Sequence, residues 1–288
     1  MEKSIAANLC GAVTPKLAQR KVEDRGGHLA LVRGGASRNK RGMNAVVQGI
    51  QWLGRNALDF ALPARCAGCG TITDAPHQFC ADCWQKVDWL GPGGCDCCGI
   101  PLEATDMDHC ARCLAETPII GRTRAAMAYG DIPRSLVLRL KYSRKVALAA
   151  TMARYMRPLM EETSDAVLVP VPLHWTRIWW RGFNQSGLIA GKLARLTGMK
   201  QDPAILERVK RTRSLKNMNP RQRADEVRAA FRVVDKARVK GRRFVLVDDV
   251  LTSGSTSDAC AKALLRAGAE RIDLICFARV VRPALLGR

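Results

Sequence analysis

Eight cysteines fall into four C-x-x-C pairs: Cys66 with Cys69, Cys80 with Cys83, Cys95 with Cys98, and Cys110 with Cys113. Gaps of ten, eleven and eleven residues separate successive pairs. Two residues between sulfurs let one tight turn offer both to the same ion, and four thiolates close a tetrahedral zinc site. Four pairs therefore predict two structural zinc ions. Four thiolates leave no open position for a catalytic water, so the zinc reads as structural. Sequential pairing is the default. A cross-braced pairing, first with third and second with fourth, is the alternative. Cys97 stands between two proposed ligands in "CDCC", while His77 and His109 read as bystanders beside a full set of cysteines. A disulfide framework would normally accompany a secretory leader. The first 42 residues contain no apolar stretch of that kind, so metal outweighs disulfides.

A second chemical feature lies in "RRFVLVDDVLTSGSTSDAC", residues Arg242 to Cys260. An apolar run ends in Asp248 and Asp249, and a small hydroxyl-rich turn, Thr252-Ser253-Gly254-Ser255-Thr256, leads into a helix. Backbone N–H groups at such a turn, with the positive end of the helix, can surround a phosphate. The two carboxylates cannot serve that same anion. They fit a neighbouring group rich in donors, as a ribose with two hydroxyls is. A sugar phosphate reconciles loop and acids. The loop lacks the G-x-x-x-x-G-K-[ST] pattern of a Walker loop and the three spaced glycines of a dinucleotide site. Only 39 residues follow Asp249, too few for a receiver domain built around an acidic pair. The plainer alternative is a β–α turn whose hydroxyls merely cap a helix.

These groups need a scaffold. "RAAMAY" reads as a strand and "KVALAATMARYMRPLM" as an amphipathic helix with Ala149, Met152, Met156 and Leu159 inward. "DAVLVPVPL" is a strand ending in prolines, and "NQSGLIAGKLARLTG" a helix with a glycine stop. "RFVLVDD" is an uninterrupted apolar strand, as expected at the centre of a parallel sheet. "STSDACAKALLRAGA" follows as a helix with Ala259, Cys260, Ala263 and Leu264 inside, and "RIDLICFARVV" is the last strand. Alternating strands and helices predict an α/β fold, a mainly parallel twisted sheet flanked by helices, with the cysteine module N-terminal to it. The expected layout is a disordered basic tail over 1–42, an amphipathic helix over 43–63, the metal module over 64–116 and the α/β domain over 122–288. Met43 is an alternative start.

Several of these stretches together resemble one family. "CAGCG", Lys141-Tyr142, "VPVPL", "RGFNQ" at Arg181 to Gln185 and "VLVDDVLTSGST" are similar to the ComF family of competence-associated proteins, over about Leu62 to Arg279. Members join a double zinc ribbon to a domain like the type I phosphoribosyltransferases. The resemblance implies that Asp248 and Asp249 hold ribose hydroxyls of phosphoribosyl pyrophosphate (PRPP), and that Thr252, Ser253, Gly254, Ser255 and Thr256 hold its 5′-phosphate. It places pyrophosphate at the turn containing Val171 and Pro172, with Mg2+ accompanying PRPP. Lys141 and Arg181 become the cations that support a departing pyrophosphate, which is electrostatic rather than nucleophilic work. The sequence departs from the family at Ser253, at Leu215 and near Glu226.

Lys and Arg total 47 against 26 Asp and Glu, a formal net charge of +21. Two four-thiolate zinc sites lower that to about +17. Such a field favours polyanions, from phosphorylated small molecules to nucleic acid. Arg208 to Arg223 holds seven basic residues and no acidic one. Trp175, Trp179 and Trp180 lie beside Arg177 and Arg181, a pattern that suits base stacking. Packing in a core or between domains is the favoured expectation for the three tryptophans. No stretch approaches the roughly 18 apolar residues that span a bilayer, so a cytoplasmic protein without membrane insertion is expected. Two functions follow. One is a PRPP-binding phosphoribosyltransferase in DNA uptake or nucleotide-linked metabolism. The other is a non-catalytic protein whose zinc module contacts single-stranded DNA or a helicase, its pocket serving as a ligand sensor.

Overall fold

The computed structural model describes residues 63–91, 93–102, 107–160, 165–209 and 230–286. The expected tail, the 43–63 helix up to residue 62, and residues 210–229, including Leu215 and Glu226, lie outside these. Two short helices, α1 (Ala81–Gln85) and α2 (Ala111–Ala115), belong to the cysteine module. The α/β part runs β1 (Arg122–Ala128), α3 (Asp131–Tyr142), α4 (Leu148–Met156), β2 (Val167–Pro170), α5 (Trp175–Arg181), α6 (Gln185–Thr197), β3 (Leu206–Arg208), β4 (Phe231–Val233), β5 (Arg243–Leu251), α7 (Ser255–Arg266) and β6 (Arg271–Arg279).

Four strands form a wholly parallel sheet in the order β1-β6-β5-β2, and β3 with β4 makes a separate antiparallel pair. β5 lies between β2 and β6, with Val245 facing Leu168 on one side and Asp273 on the other. Its side chains alternate between two cores. Val245 and Val247 join Leu136, Met152, Ile189 and Phe277 on one face. Phe244 and Leu246 join Leu264, Cys276, Leu206 and Phe231 on the other. A strand buried on both faces must be apolar throughout until it reaches its functional end, and "FVLV" before the aspartates is that sequence.

The expected elements are largely present. Ala149, Met152 and Met156 are fully buried on α4 and Leu159 nearly so; complete burial is worth about 1.5–3 kcal/mol for each methionine. Asn184 caps α6 through its side chain, and Gly198, in the left-handed region, ends it. On α7, Cys260, Ala263 and Leu264 are buried and Ala259 partly so. Three elements went unforeseen: α3, α5 and the β3–β4 pair.

The cysteine module protects the free edge of β1. Leu90 donates to Ala126 O (3.1 Å), Ala128 to Asp88 O (2.8 Å) and Thr123 to Cys97 O (2.7 Å). An unpaired edge invites association with other chains, and these bonds cover it. Side chains reinforce the seam. Arg139 reaches Ala67 O (2.6 Å), the Tyr155 hydroxyl accepts from Phe79 N (3.0 Å), and Phe79 stacks on Tyr155 with centroids 4.9 Å apart. The described residues from Arg65 onward belong to one compact unit. Among the described residues no helix is long and apolar enough to cross a membrane.

Candidate functional site: two cysteine tetrads and an acidic loop

The sulfurs of Cys66, Cys69, Cys80 and Cys83 lie within 4.8 Å of one another, as do those of Cys95, Cys98, Cys110 and Cys113. Sequential pairing is therefore the arrangement, and the cross-braced alternative is excluded. A tetrahedron with zinc–sulfur bonds near 2.3 Å has edges of about 3.8 Å. Sγ of Cys69 lies 3.5 Å from that of Cys80, and Sγ of Cys98 lies 3.7 Å from that of Cys110, so both tetrads fit zinc. Each also receives a backbone donor: Cys80 N–H to Cys66 Sγ and Cys110 N–H to Cys95 Sγ, both 3.3 Å. Burial pushes the Cys95 thiol up, but the N–H groups of Cys110, Cys98 and Cys97 outweigh it and bring it down to about 6. The Thr71 hydroxyl and N–H hold Cys69 at about 6 as well. Burial pushes the Cys83 and Cys113 thiols of the same tetrads the other way, well above the ordinary thiol value, so their ligation as thiolates would draw on the metal's own charge. Gly68 is required inside its turn, because a Cβ there would sit 2.8 Å from Cys83 Sγ. Cys97 stays outside its tetrad. His77 is a strut rather than a ligand, its Nδ1 lying 3.1 Å from Thr151 Oγ1 on α4.

The acidic loop is built at the carboxyl ends of the strands, where ligands of open α/β sheets bind. Asp248 Oδ1 accepts from Ser186 Oγ (2.9 Å) and from Asp249 N–H (2.9 Å), and Asp249 Oδ1 accepts from Val250 N–H (2.9 Å). Asp249 Oδ2 pairs with Lys141 Nζ at 2.7 Å, a largely buried ion pair. Burial, then the neighbouring Asp249, push the Asp248 carboxyl up to about 7, against Lys141 and Ser186. Burial works to lower the Lys141 ammonium, but Asp249 and Asp248 prevail and hold it above its usual value.

Gly254, with φ +80°, precedes α7, and no side chain caps that helix. Its first amide donors are thus available to an anion. Ser253 and Ser255 place their hydroxyl oxygens 3.0 Å apart across the turn. Val171 and Pro172 are buried in the turn after β2. Val171 N–H donates to Val247 O (3.0 Å), and Val171 O accepts from Asn184 Nδ2 (3.0 Å). Arg181 donates to Gln185 Oε1 (3.2 Å), and its guanidinium lies 5.3 Å from the centre of the Tyr142 ring.

The structure joins Asp248, Asp249 and Lys141 directly; Arg181 lies over the Tyr142 ring and close enough to Lys141 for the two cations to repel. Sequence reasoning missed Asn184 and Ser186 as working residues. Asn184 ties the Val171 turn to α6, and Ser186 orients Asp248. An Asn followed by a helical run is a capping signal that could have exposed the first. The expectation for the tryptophans is overturned. Trp175, Trp179 and Trp180 are 68%, 84% and 64% exposed, and no residue of α5 is buried. α5 lies on the surface; Trp180 stands edge-on to Tyr142 at 6.5 Å, and Trp175 lies 5.6 Å from the His174 ring.

Residues 57–121 match the double zinc ribbon domain family, and residues 189–284 match the phosphoribosyl transferase domain family. "DNA utilization protein YhgH" of Salmonella typhimurium is 34% identical over 242 residues, covering 82% of this chain and 99% of the relative. "Competence protein F" of Haemophilus influenzae is 29% identical over 224 residues, covering 75% of this chain and 96% of the relative. The chain belongs to the ComF family. Zinc ribbon and transferase-like domain are thus the parts of a ComF protein, in the order the sequence led one to expect. Among solved structures, the purine phosphoribosyltransferase of Pyrococcus horikoshii overlaps 46% of this chain and 72% of its own, at 16% identity and a TM-score of 0.30. Nothing further follows from a score of that size.

Proposed function

We propose that this ComF protein binds PRPP with Mg2+ at the Asp248–Asp249 loop and transfers or hydrolyses its phosphoribosyl group, in the service of DNA utilisation or competence. The observation that carries the reading is the carboxyl end of β5, where two carboxylates already oriented by Ser186 and Lys141 stand a short loop away from an uncapped helix N-terminus. The α7 amides would hold the 5′-phosphate, and the carboxylates would accept from the ribose hydroxyls. The turn at Val171 and Pro172, stitched to β5 and α6, would receive pyrophosphate. Mg2+, a hard cation that takes oxygen ligands, suits a site of carboxylates and phosphates and would neutralise the leaving group. Lys141 is engaged by Asp249, so its charge serves the ribose side. Arg181 shows no carboxylate partner among the described residues and is the cation for pyrophosphate. Fixed charges of this kind act on the departing anion without reorganising. The test is pyrophosphate release from Mg-PRPP by zinc-loaded protein. Release should fall at least a hundredfold in Arg181→Ala with PRPP affinity changed less, and equal release by both proteins would remove Arg181 from the chemistry.

The exposed tryptophans support a second, compatible role. Trp175, Trp179 and Trp180, interleaved with Arg177 and Arg181 on a strongly basic molecule, suit stacking of single-stranded bases, worth about 1–3 kcal/mol per base. Trp175→Ala with Trp179→Ala should weaken binding of a single-stranded oligonucleotide at least tenfold while thermal stability holds. Undiminished binding would assign the strand to another surface.

A further inference from the structure

Arg181 belongs to two surfaces at once. It ends α5, the helix that carries the three exposed tryptophans, and its guanidinium lies 5.3 Å from the centre of the Tyr142 ring. Tyr142 follows Lys141 at the end of α3, and Lys141 Nζ stands 2.7 Å from Asp249 Oδ2. Arg181 is also near enough to Lys141 to act against its charge. The aromatic rings of α5 thus lead up to the cations that flank the acidic loop.

The step nearest the loop is a corner of two rings. Trp180 and Tyr142 meet at 68° with centroids 6.5 Å apart, and both are more than half exposed. Each keeps ring surface open to solvent, which a flat π-system can cover. One free base would need only this corner. Trp175 and Trp179 extend the row by two further exposed rings, and Arg177 and Arg181 recur at the i, i+4 spacing that sets them on one side of the helix. Repeated rings beside repeated cations match the alternation of base and phosphate along a strand rather than a lone base.

We propose that a base of a single strand, seated against Trp180 and Tyr142, is the acceptor of the phosphoribosyl group. The proposal rests on the PRPP and strand-binding readings above and adds the acceptor that neither of them names. In the transfer, a base nitrogen bearing hydrogen attacks C1′ of PRPP. The bond from C1′ to the pyrophosphate oxygen breaks, and pyrophosphate leaves with its electron pair. A C1′–N bond replaces it, and the N–H proton passes to the departing pyrophosphate or to water. No oxidant or reductant takes part.

The test mixes full-length, zinc-loaded protein with Mg-PRPP labelled in its ribose and a single-stranded oligonucleotide containing all four bases. The strand should gain the label and the mass of a phosphoribosyl group, with one pyrophosphate released for each group gained. Free nucleobases at matched concentration should gain far less. Trp180→Ala should lower labelling of the strand by at least about tenfold, in line with the loss of one stacked base, and Trp180→Phe, which keeps a ring, should recover most of it. Both variants should retain the stabilisation by Mg-PRPP, which separates a lost platform from a lost fold. Stabilisation by Mg-PRPP and binding of the strand without transfer of label would overturn this proposal alone. Free bases labelled as readily as the strand, or full labelling by Trp180→Ala, would overturn it too. Absence of any stabilisation by Mg-PRPP would remove the sugar-phosphate reading and this proposal with it.

Discussion

Asp248 shows how much chemistry one carboxylate can carry. Its carboxyl is held near 7, far above the ordinary value, by burial and by Asp249. A group protonated in the folded state and ionised in the unfolded one stabilises the fold at low pH. Its contribution is full below about pH 4 and declines as pH rises toward 7. The ligand-free protein should therefore lose stability between about pH 5.5 and 7, and Asp248→Asn should lose less, as read by urea denaturation at each pH. Parallel curves for the two proteins would contradict the raised carboxyl. Ser186 opposes that rise by donating to Oδ1. Ser186→Ala should move the titration higher and weaken Mg-PRPP near pH 7 by about fivefold, the value of about 1 kcal/mol for one hydrogen bond. An unchanged affinity would make Ser186 a purely structural contact. The aspartates were legible from their position after an apolar strand. Ser186 was not, because a serine at a helix start ordinarily reads as local capping, and its true partner is 62 residues away.

Among the elements, those with long apolar periods or apolar runs were readable, and those without were not. β5, α4 and α7 announce themselves because they bury one or both faces. α3 was obscured by Pro133 in its first turn, a position that tolerates proline, although Leu136, Val137 and Leu140 form its buried face. β3 and β4 have three residues each, too few for a period of two to show, and 22 residues separate them. α5 misled for a different reason. Tryptophan carries the same hydropathy inside or outside, so spacing alone could not tell an exposed platform from a packed one. The zinc turns were legible because their spacing is fixed by coordination geometry. Cys66→Ser should reduce bound zinc from two ions to one per chain and lower the melting temperature, since the first tetrad packs into the same core as α3 and α4. A zinc content unchanged at two would contradict the sequential tetrads.

At the scale of the whole molecule, ribbon and α/β domain share a core and a sheet edge, so zinc stabilises more than its own turns. Each structural site is worth roughly 10 to 16 kcal/mol in small zinc modules. The formal net charge of +21, about +17 with both zinc sites filled, would favour the phosphorylated ligands that both proposed roles require. These two roles separate experimentally. PRPP recognition should vanish with the two aspartates, whereas DNA binding should persist without them and weaken steeply with salt. The central claim is the sugar-phosphate site, and the most direct measurement is the thermal stability of zinc-loaded protein with and without Mg-PRPP. Ligand at 100 times its dissociation constant should stabilise the fold by about 2.7 kcal/mol. That shift should disappear when Asp248→Asn and Asp249→Asn are combined in a protein that remains folded. No shift at saturating Mg-PRPP, or an equal shift in the double variant, would contradict the account.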